Sequence, residues 1–188
     1  MTAKLRYVSM VTLDGYVEDA QGKFDWSQPD DEVHRFVNDL LRPIGTFLFG
    51  RRMYETMRGW ETEYGSKESD PPVMRDFAQL WRNVDKVVYS TTLERVSTSR
   101  TRLERTLDVE AVRALKAGSR KDLTVGGPGL AAHAFKAGLV DEIDLFVFPT
   151  LLGGGKRSLP DHVRRNLALL DERRFAPSGV VYLRHAVK

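Results

Sequence analysis

The chain has 188 residues, 41% of them hydrophobic, and its 29 Lys and Arg against 26 Asp and Glu leave a formal net charge of +3. This length suits one domain around one buried core, and the near balance of charge argues against a nucleic-acid partner. The absence of cysteine excludes disulfides, thiolate zinc sites and cysteine nucleophiles. No metal is expected, and with no run as long and apolar as a signal peptide or membrane span, the expectation is a cytoplasmic protein with no membrane contact.

In chain order, LRYVSMV (5–11) reads as a buried strand, followed by the polar loop TLDGYVEDAQGKFDWSQP. A helix starts near Asp30: Val33, Phe36, Val37, Leu40 and Leu41 share one apolar face, Asp30 and Asp31 suit the positive dipole end, and Pro43 stops it. TFLFG (46–50) is a short strand, RRMYETM opens a second helix directly behind Gly50, and PPVMRDFAQLW forms a third. KVVYS (86–90) is again a strand and ends in the hydroxyl cluster Ser90, Thr91 and Thr92. DVEAVRALKAG (108–118) carries a small amphipathic helix, DLTV a strand, and GPGLAAHAFKAG the next helix. EIDLFVFP, apolar on both faces, suits a central strand covered from both sides, and LALLDERRF with GVVYLRHAV closes the chain as an antiparallel hairpin. The basic segments STSRTRLERT, HVRRN and DERR lack interleaved aromatics and read as solvated surface. This alternation predicts an α/β fold of three layers, αβα, with a mixed, mostly parallel central sheet and a C-terminal antiparallel hairpin, as a single domain over 1–188.

In such a sheet ligands bind outside the carboxyl ends of the strands. Four strand ends are rich in glycine or polar residues: Thr12 to Gly15, Gly50 to Arg52, Ser90 to Thr92, and Gly126 to Gly129. In TVGGPGLAAHAF (124–135) a β-branched run breaks into glycines and opens a small-residue helix, which lets a phosphate approach the backbone and meet unpaired N–H donors. Pro128 suits the first helical position. GPGLAA fits the G-x-G-x-x-G/A dinucleotide pattern, with Asp144 as a candidate ribose acid, although Asp144 lies inside an apolar run; a tight turn needing glycine only for packing is the alternative. Arg51 and Arg52 could converge on the ribose 2′-phosphate of NADP, since two arginines in a first helical turn oppose its dipole at about 0.3–1 kcal/mol each unless an anion offsets them; two solvated arginines are the alternative.

These segments resemble the dihydrofolate reductase-like family, and within it the branch holding the reductase domain of bacterial riboflavin biosynthesis (the RibD C-terminal domain) and its stand-alone relatives. SMVTLDGYV is similar to the family's first strand and mobile loop, WSQPDDEVHRF to its W-x-x-P-x-D segment, FGRRMYET to its G-R-x-x-[YW]-E segment, and TVGGPGL to its Gly-Gly turn. DEIDLFVFPTLLGGGKRSL is similar to the riboflavin branch in particular. The resemblance implies a dihydrofolate reductase-like fold and NADPH as cofactor. It assigns Gly50, Arg51, Arg52, Ser90 and Thr91 to the adenosine phosphate, Gly126, Gly127 and Gly129 to the pyrophosphate, and Thr12, Asp14 and Gly15 to the nicotinamide side. It further implies a cis peptide between Gly126 and Gly127, and a homodimer to which GVVYLRHAV could contribute. Asp31, spaced from Trp26 and Pro29 as in the family segment, is the candidate catalytic acid; Asp30, Glu32 and His34 are its neighbours, and an ordinary first-turn acid is the alternative.

The expected activity is hydride transfer from NADPH to a small heterocyclic substrate, a pteridine or a 5-amino-6-ribosylaminouracil. A nucleotide-binding module without turnover is the rival. The GGGK loop (153–156) offers Lys156 as a phosphate contact or serves as a rim, and no zinc deaminase motif accompanies the reductase segments.

Overall fold

The computed structural model describes residues 2–188. The strands are β1 (Leu5–Thr12), β2 (Tyr16–Glu18), β3 (Thr46–Gly50), β4 (Asp85–Tyr89), β5 (Thr101–Glu104), β6 (Leu123–Gly126), β7 (Glu142–Phe148), β8 (Lys156–Arg157), β9 (Leu167–Arg174) and β10 (Val181–Val187). The helices are α1 (Asp31–Leu41), α2 (Arg51–Met57), α3 (Pro72–Asn83), α4 (Val109–Gly118) and α5 (Pro128–Lys136). An eight-stranded sheet runs β5-β4-β3-β6-β1-β7-β10-β9. Every neighbouring pair from β5 to β7 is parallel, and the hairpin of β9 and β10 adds antiparallel strands to one side. This is the αβα arrangement with a mostly parallel sheet that the segment pattern predicts. No helix among the described residues is long and apolar enough to cross a membrane.

Local chemistry sets the helix starts. The Asp30 carboxylate accepts the Val33 N–H at 2.8 Å, Asp108 accepts that of Ala111 at 2.8 Å, and Pro128 occupies the first turn of α5. One face of the sheet, carrying Leu5, Tyr7, Leu48, Val125 and Ile143, packs against Val112 of α4 and Ala131, Ala134 and Phe135 of α5. On the other face Phe47, Phe49 and Val88 lie with Tyr54, Phe77 and Trp81 of α2 and α3, while Phe146, Phe148 and Tyr182 lie with Val33 and Val37 of α1. The helices that follow β1 and β3 therefore cover one face, whereas the helix that follows β6, between them, covers the other. Divergence of this kind marks the strand ends where α/β sheets receive their ligands.

Four features depart from the sequence expectations. STSRTRLERT contributes the edge strand β5, whose Arg102 and Glu104 face solvent while Thr101 and Leu103 are half-buried, a short alternation that basic composition masks. The loop after β1 is not irregular throughout, because β2 pairs antiparallel with β8 as a small ribbon. The Gly126–Gly127 peptide is trans, as are all others among the described residues. Asp144 is not a ribose ligand: it is fully buried and accepts Arg6 Nε at 3.0 Å, Arg6 Nη2 at 2.7 Å and the Tyr182 hydroxyl at 2.6 Å.

Beside Asp144, Glu142 is equally buried and is paired with Lys4 and Arg184. Burial works against ionisation of Glu142, but hydrogen bonds from Lys4 and Arg184 outweigh it and hold the carboxyl below its ordinary range. The run EIDLFVF thus reads as apolar while carrying two acids inward to fixed cations. Another buried charge closes the far end of the sheet: Lys86 Nζ donates to the carbonyls of Trp81 at 2.7 Å and Val84 at 2.9 Å, capping α3, and burial pulls its pKa down to about 8.

Candidate active site

Parallel register brings the predicted strand ends together. Gly50 is the Cα partner of Tyr89, the residue before Ser90, and Phe49 is the partner of Gly126. At about 4.8 Å between neighbouring strands, the turns after β4, β3 and β6 share one end of the sheet. On the other side of β6, β1 pairs with it only up to Tyr7↔Val125, then runs on along β7 to Thr12↔Phe148. β1 therefore projects past the end of its pairing with β6.

Two of the three glycines in the turn after β6 have a reason inside the protein. A Cβ on Gly126 would stand 2.6 Å from the Phe49 ring, and Gly127 has φ +86°, a conformation that L side chains rarely adopt. Gly129 has neither constraint, and a Cβ there would meet open space. No side chain caps α5, so N–H donors of its first turn remain for a ligand. The turn therefore suits an anion, with Gly129 leaving room for it.

The two arginines at the start of α2 separate. Arg51 is half exposed and meets only Glu55, one turn on, at 3.9 Å. Arg52 Nη2 instead donates to Glu18 Oε2 at 3.1 Å, tying α2 to the β2–β8 ribbon, and an open surface depression beside this pair is also bordered by Lys156. Ser90 turns its hydroxyl into its own loop, accepting the N–H groups of Thr92 at 3.2 Å and Leu93 at 2.9 Å, which leaves Thr91 as the exposed hydroxyl of the pair.

Thr12 and Asp14 build the loop wall. The Thr12 hydroxyl donates to Asp14 at 2.6 Å and accepts the Tyr16 N–H at 3.0 Å, while Asp14 accepts the N–H groups of Leu152 at 3.1 Å and Gly153 at 2.7 Å. The Thr12 hydroxyl and the two N–H donors hold Asp14 below the usual carboxylate range. Gly15, at φ +91°, passes its carbonyl to the Ser158 N–H at 2.9 Å. These side chains are used within the fold, so a ligand would meet the loop through its backbone and shape.

Of the three consecutive acids at the start of α1, Asp30 caps the helix and Glu32 pairs with Arg173 at 2.8 Å. Asp31 is exposed and has no hydrogen-bond or ion-pair partner among the described residues. One turn on, His34 is half-buried, its ring 5.9 Å from those of both Trp60 and Phe77. Burial pushes its imidazole below the ordinary value, against the opposing pull of Asp31 and Asp76. Asp31 and His34 thus offer an ionisable pair of unequal exposure on one helical face.

Two further residues border these elements, one named in the sequence only as a spacing mark and one not at all. The indole N–H of Trp26 is buried without a hydrogen-bond partner among the described residues, its ring edge-on to Phe148 at 5.5 Å. Trp26 already stood in the W-x-x-P-x-D segment. Glu18 has no local signal at all, because its partner Arg52 lies 34 residues away.

This geometry can be set beside known proteins. Residues 3–181 match the RibD C-terminal domain family. The chain is 33% identical over 175 residues to YyaP, an uncharacterised protein of Bacillus subtilis (strain 168), covering 92% of this chain and 89% of that one. Among solved structures, a protein assigned provisionally to riboflavin biosynthesis from Shewanella sp. PV-4 superposes with a TM-score of 0.75 at 21% identity, over 100% of this chain and 99% of that one. Dihydrofolate reductase from Enterococcus faecalis, complexed with NADP(H) and RAB-propyl, shares the fold with a TM-score of 0.64 at 13% identity, over 100% and 99% of the two chains. The strand order, the glycine turn after β6 and the family match over almost the whole length lead to one conclusion: the chain belongs to the RibD C-terminal domain family, a reductase-type branch of the dihydrofolate reductase-like fold.

Proposed function

We propose that this protein is an NADPH-dependent reductase that transfers a hydride to a small heterocyclic substrate of the pteridine or 5-amino-6-ribosylaminouracil type. The observation that supports this best is the convergence of Gly50, Ser90 and Gly126 on one end of adjacent parallel strands, beside a glycine turn that opens α5 without a side-chain cap. Arg51, Arg52 and Thr91 would hold the adenosine phosphate, with Gly50 and Ser90 shaping that end of the groove. The turn at Gly126, Gly127 and Gly129 would receive the pyrophosphate, and the Thr12, Asp14 and Gly15 loop would flank the nicotinamide. Bound NADPH supplies the hydride. The protein's part is to orient the acceptor ring and supply a proton to the nitrogen that gains charge, for which Asp31 and His34 are the candidates.

A thermal-shift comparison tests the cofactor. A ligand that binds only the folded state at 100 times its Kd adds about 2.7 kcal/mol of apparent stability, so NADPH should raise the melting temperature clearly and more than NADH. Replacing Arg51 and Arg52 together by alanine should erase the difference between the two cofactors. Equal shifts with NADPH and NADH in the unaltered protein would refute the 2′-phosphate assignment. Turnover of dihydrofolate against the aminouracil then separates the two substrate types.

One observation favours a second reading, a nucleotide-binding module without turnover: Asp31 is exposed rather than enclosed against a substrate. NADPH binding without oxidation across both acceptors would select it. The proposal includes a cytoplasmic homodimer. β10, the strand first expected at the contact, is interior, lying between β7 and β9. The edge strand on that side is β9, with Leu167, Leu169 and Leu170 exposed along it. Sedimentation should therefore give a dimer that Leu169→Lys with Leu170→Lys converts to monomer; an unchanged dimer would remove β9 from the contact.

A further inference from the structure

A row of polar residues runs along α1 to its C-cap. Asp31, His34, Asn38 and Arg42 follow one another at i, i+3, i+7 and i+11, a spacing that stacks side chains on one helical face. From His34 onward the row faces α3 and the turn Arg58–Glu61. The His34 ring lies against Trp60 and Phe77, Asn38 bonds to Val73 and Asp76, and Arg42 Nη2 donates to Asp76 at 2.9 Å. The row thus leads from the exposed carboxylate of Asp31 to that of Asp76, with His34 and Asn38 between them.

Asn38 is the fully buried member of this row. Its Nδ2 donates to the Val73 carbonyl at 2.9 Å and to Asp76 Oδ2 at 2.8 Å. Turning the amide over would press Oδ1 against those two oxygens, so its orientation is fixed. Oδ1 is thereby left buried without a hydrogen-bond partner among the described residues. A buried acceptor of this kind calls for a donor. His34 stands one turn away on the same face, where i,i+4 side chains have their Cβ atoms about 5–6 Å apart. The rings of Trp60 and Phe77, each 5.9 Å from that of His34, carry no oxygen lone pair to compete for its N–H.

We propose that Asn38 is a positioning residue for His34: its fixed Oδ1 accepts one imidazole N–H, directly or across a single water, and so selects the tautomer in which the other nitrogen carries the lone pair. That other nitrogen is then the one that takes up and releases a proton. Asp76 and Arg42 hold the amide in turn. The charged groups that act on the imidazole are Asp31 on its own helix and Asp76 on α3; burial disfavours its charged form and both acids oppose that. The assignment deepens the reductase reading, and rests on it only for the consequence in turnover.

Nitrogen-15 spectra of the imidazoles test it. The chain has four histidines, and His34→Gln identifies the signals of His34 by their loss. In the neutral form, the ratio of its two tautomers should differ from that of the urea-unfolded chain by about fivefold or more, the worth of one net hydrogen bond. Asn38→Leu and the smaller Asn38→Ala should each return the ratio toward the unfolded one. Both should also move the His34 titration further down, because an acceptor that steadies the imidazolium is gone. A merely structural Asn38 would lower the melting temperature of these variants and leave the ratio alone, which overturns the proposal. An equal ratio in the folded and unfolded forms of the unaltered protein overturns it as well, without recourse to any variant. With turnover, the pH profile of kcat should follow the shifted His34 titration in Asn38→Ala while KM for NADPH stays unchanged. Should the ratio respond to residue 38 while neither dihydrofolate nor the aminouracil is reduced, the reductase reading falls and the positioning role stands. Conversely, NADPH oxidation together with a ratio indifferent to residue 38 would keep the reductase reading and remove the role of Asn38.

Discussion

Asp144→Ala is expected to destabilise the protein by about 3 kcal/mol or more, lowering the urea midpoint by about 1–2 M. Alanine would remove three hydrogen bonds to Asp144 at 2.6–3.0 Å and leave the Arg6 guanidinium, almost fully buried, without its bidentate partner. Glu142 could recover part of the loss, since its carboxylate already lies 3.7 Å from Arg6 Nε, but it is engaged by Lys4 and Arg184. The hydroxyl of Tyr182 loses its acceptor in the same step. Burial and then the Asp144 charge hold this phenol in its protonated, donating form, so its pKa lies far above the usual tyrosine value and should drop when the carboxylate is removed.

The double replacement Arg6→Met with Asp144→Leu separates an unpaired charge from a lost contact. Desolvating an ion pair costs nearly as much as the pair returns, so an apolar pair of similar volume should be far less damaging than Asp144→Ala alone. Equal losses in both variants would show that the packing around β1, β7 and β10, and not the stranded charge, sets the cost.

Gly155→Ala should open the β2–β8 ribbon while leaving the sheet intact. Its Cβ would stand 2.0 Å from the Glu18 carbonyl oxygen and 2.9 Å from the Asp19 backbone, and φ at +131° is unfavourable for any L side chain. Both sides of the clash are backbone, so no rotamer change relieves it, and strain of this kind costs about 1–3 kcal/mol. A two-strand ribbon at the rim has too little buried surface to absorb that cost, and it yields before the core does. Amide exchange reports the outcome. The Ser158 N–H, bonded to the Gly15 carbonyl at 2.9 Å, should exchange about tenfold faster or more, while the amides of β6 keep their protection. Uniform acceleration across the chain would mean that the ribbon and the core open together.

The elements around these strand ends are legible in the sequence because each is written locally. The apolar face of α1 from Val33 to Leu41 sits at helical spacing behind the Asp30 cap, and the turn from Gly126 to Pro128 needs no distant residue to break β6 and start α5. Strand β5 was hidden by its four-residue length and basic composition, and the paired loops of β2 and β8 each carry too few residues to show a period.

Tertiary structure alone decided what the charged residues do. Asp144 looked like a candidate ribose ligand at a plausible spacing, but the parallel register that sets Val8 beside Asp144 also brings Arg6 within reach of it, and the antiparallel register adds Tyr182. Arg51 and Arg52 looked equivalent as neighbours, until the return of the ribbon gave one of them Glu18 and left the other half exposed. Hydrophobic periodicity and turn chemistry act over a few residues, so a single chain carries them openly. An ion pair depends on groups 34 or 138 positions apart meeting in space, and only the folded register brings them together.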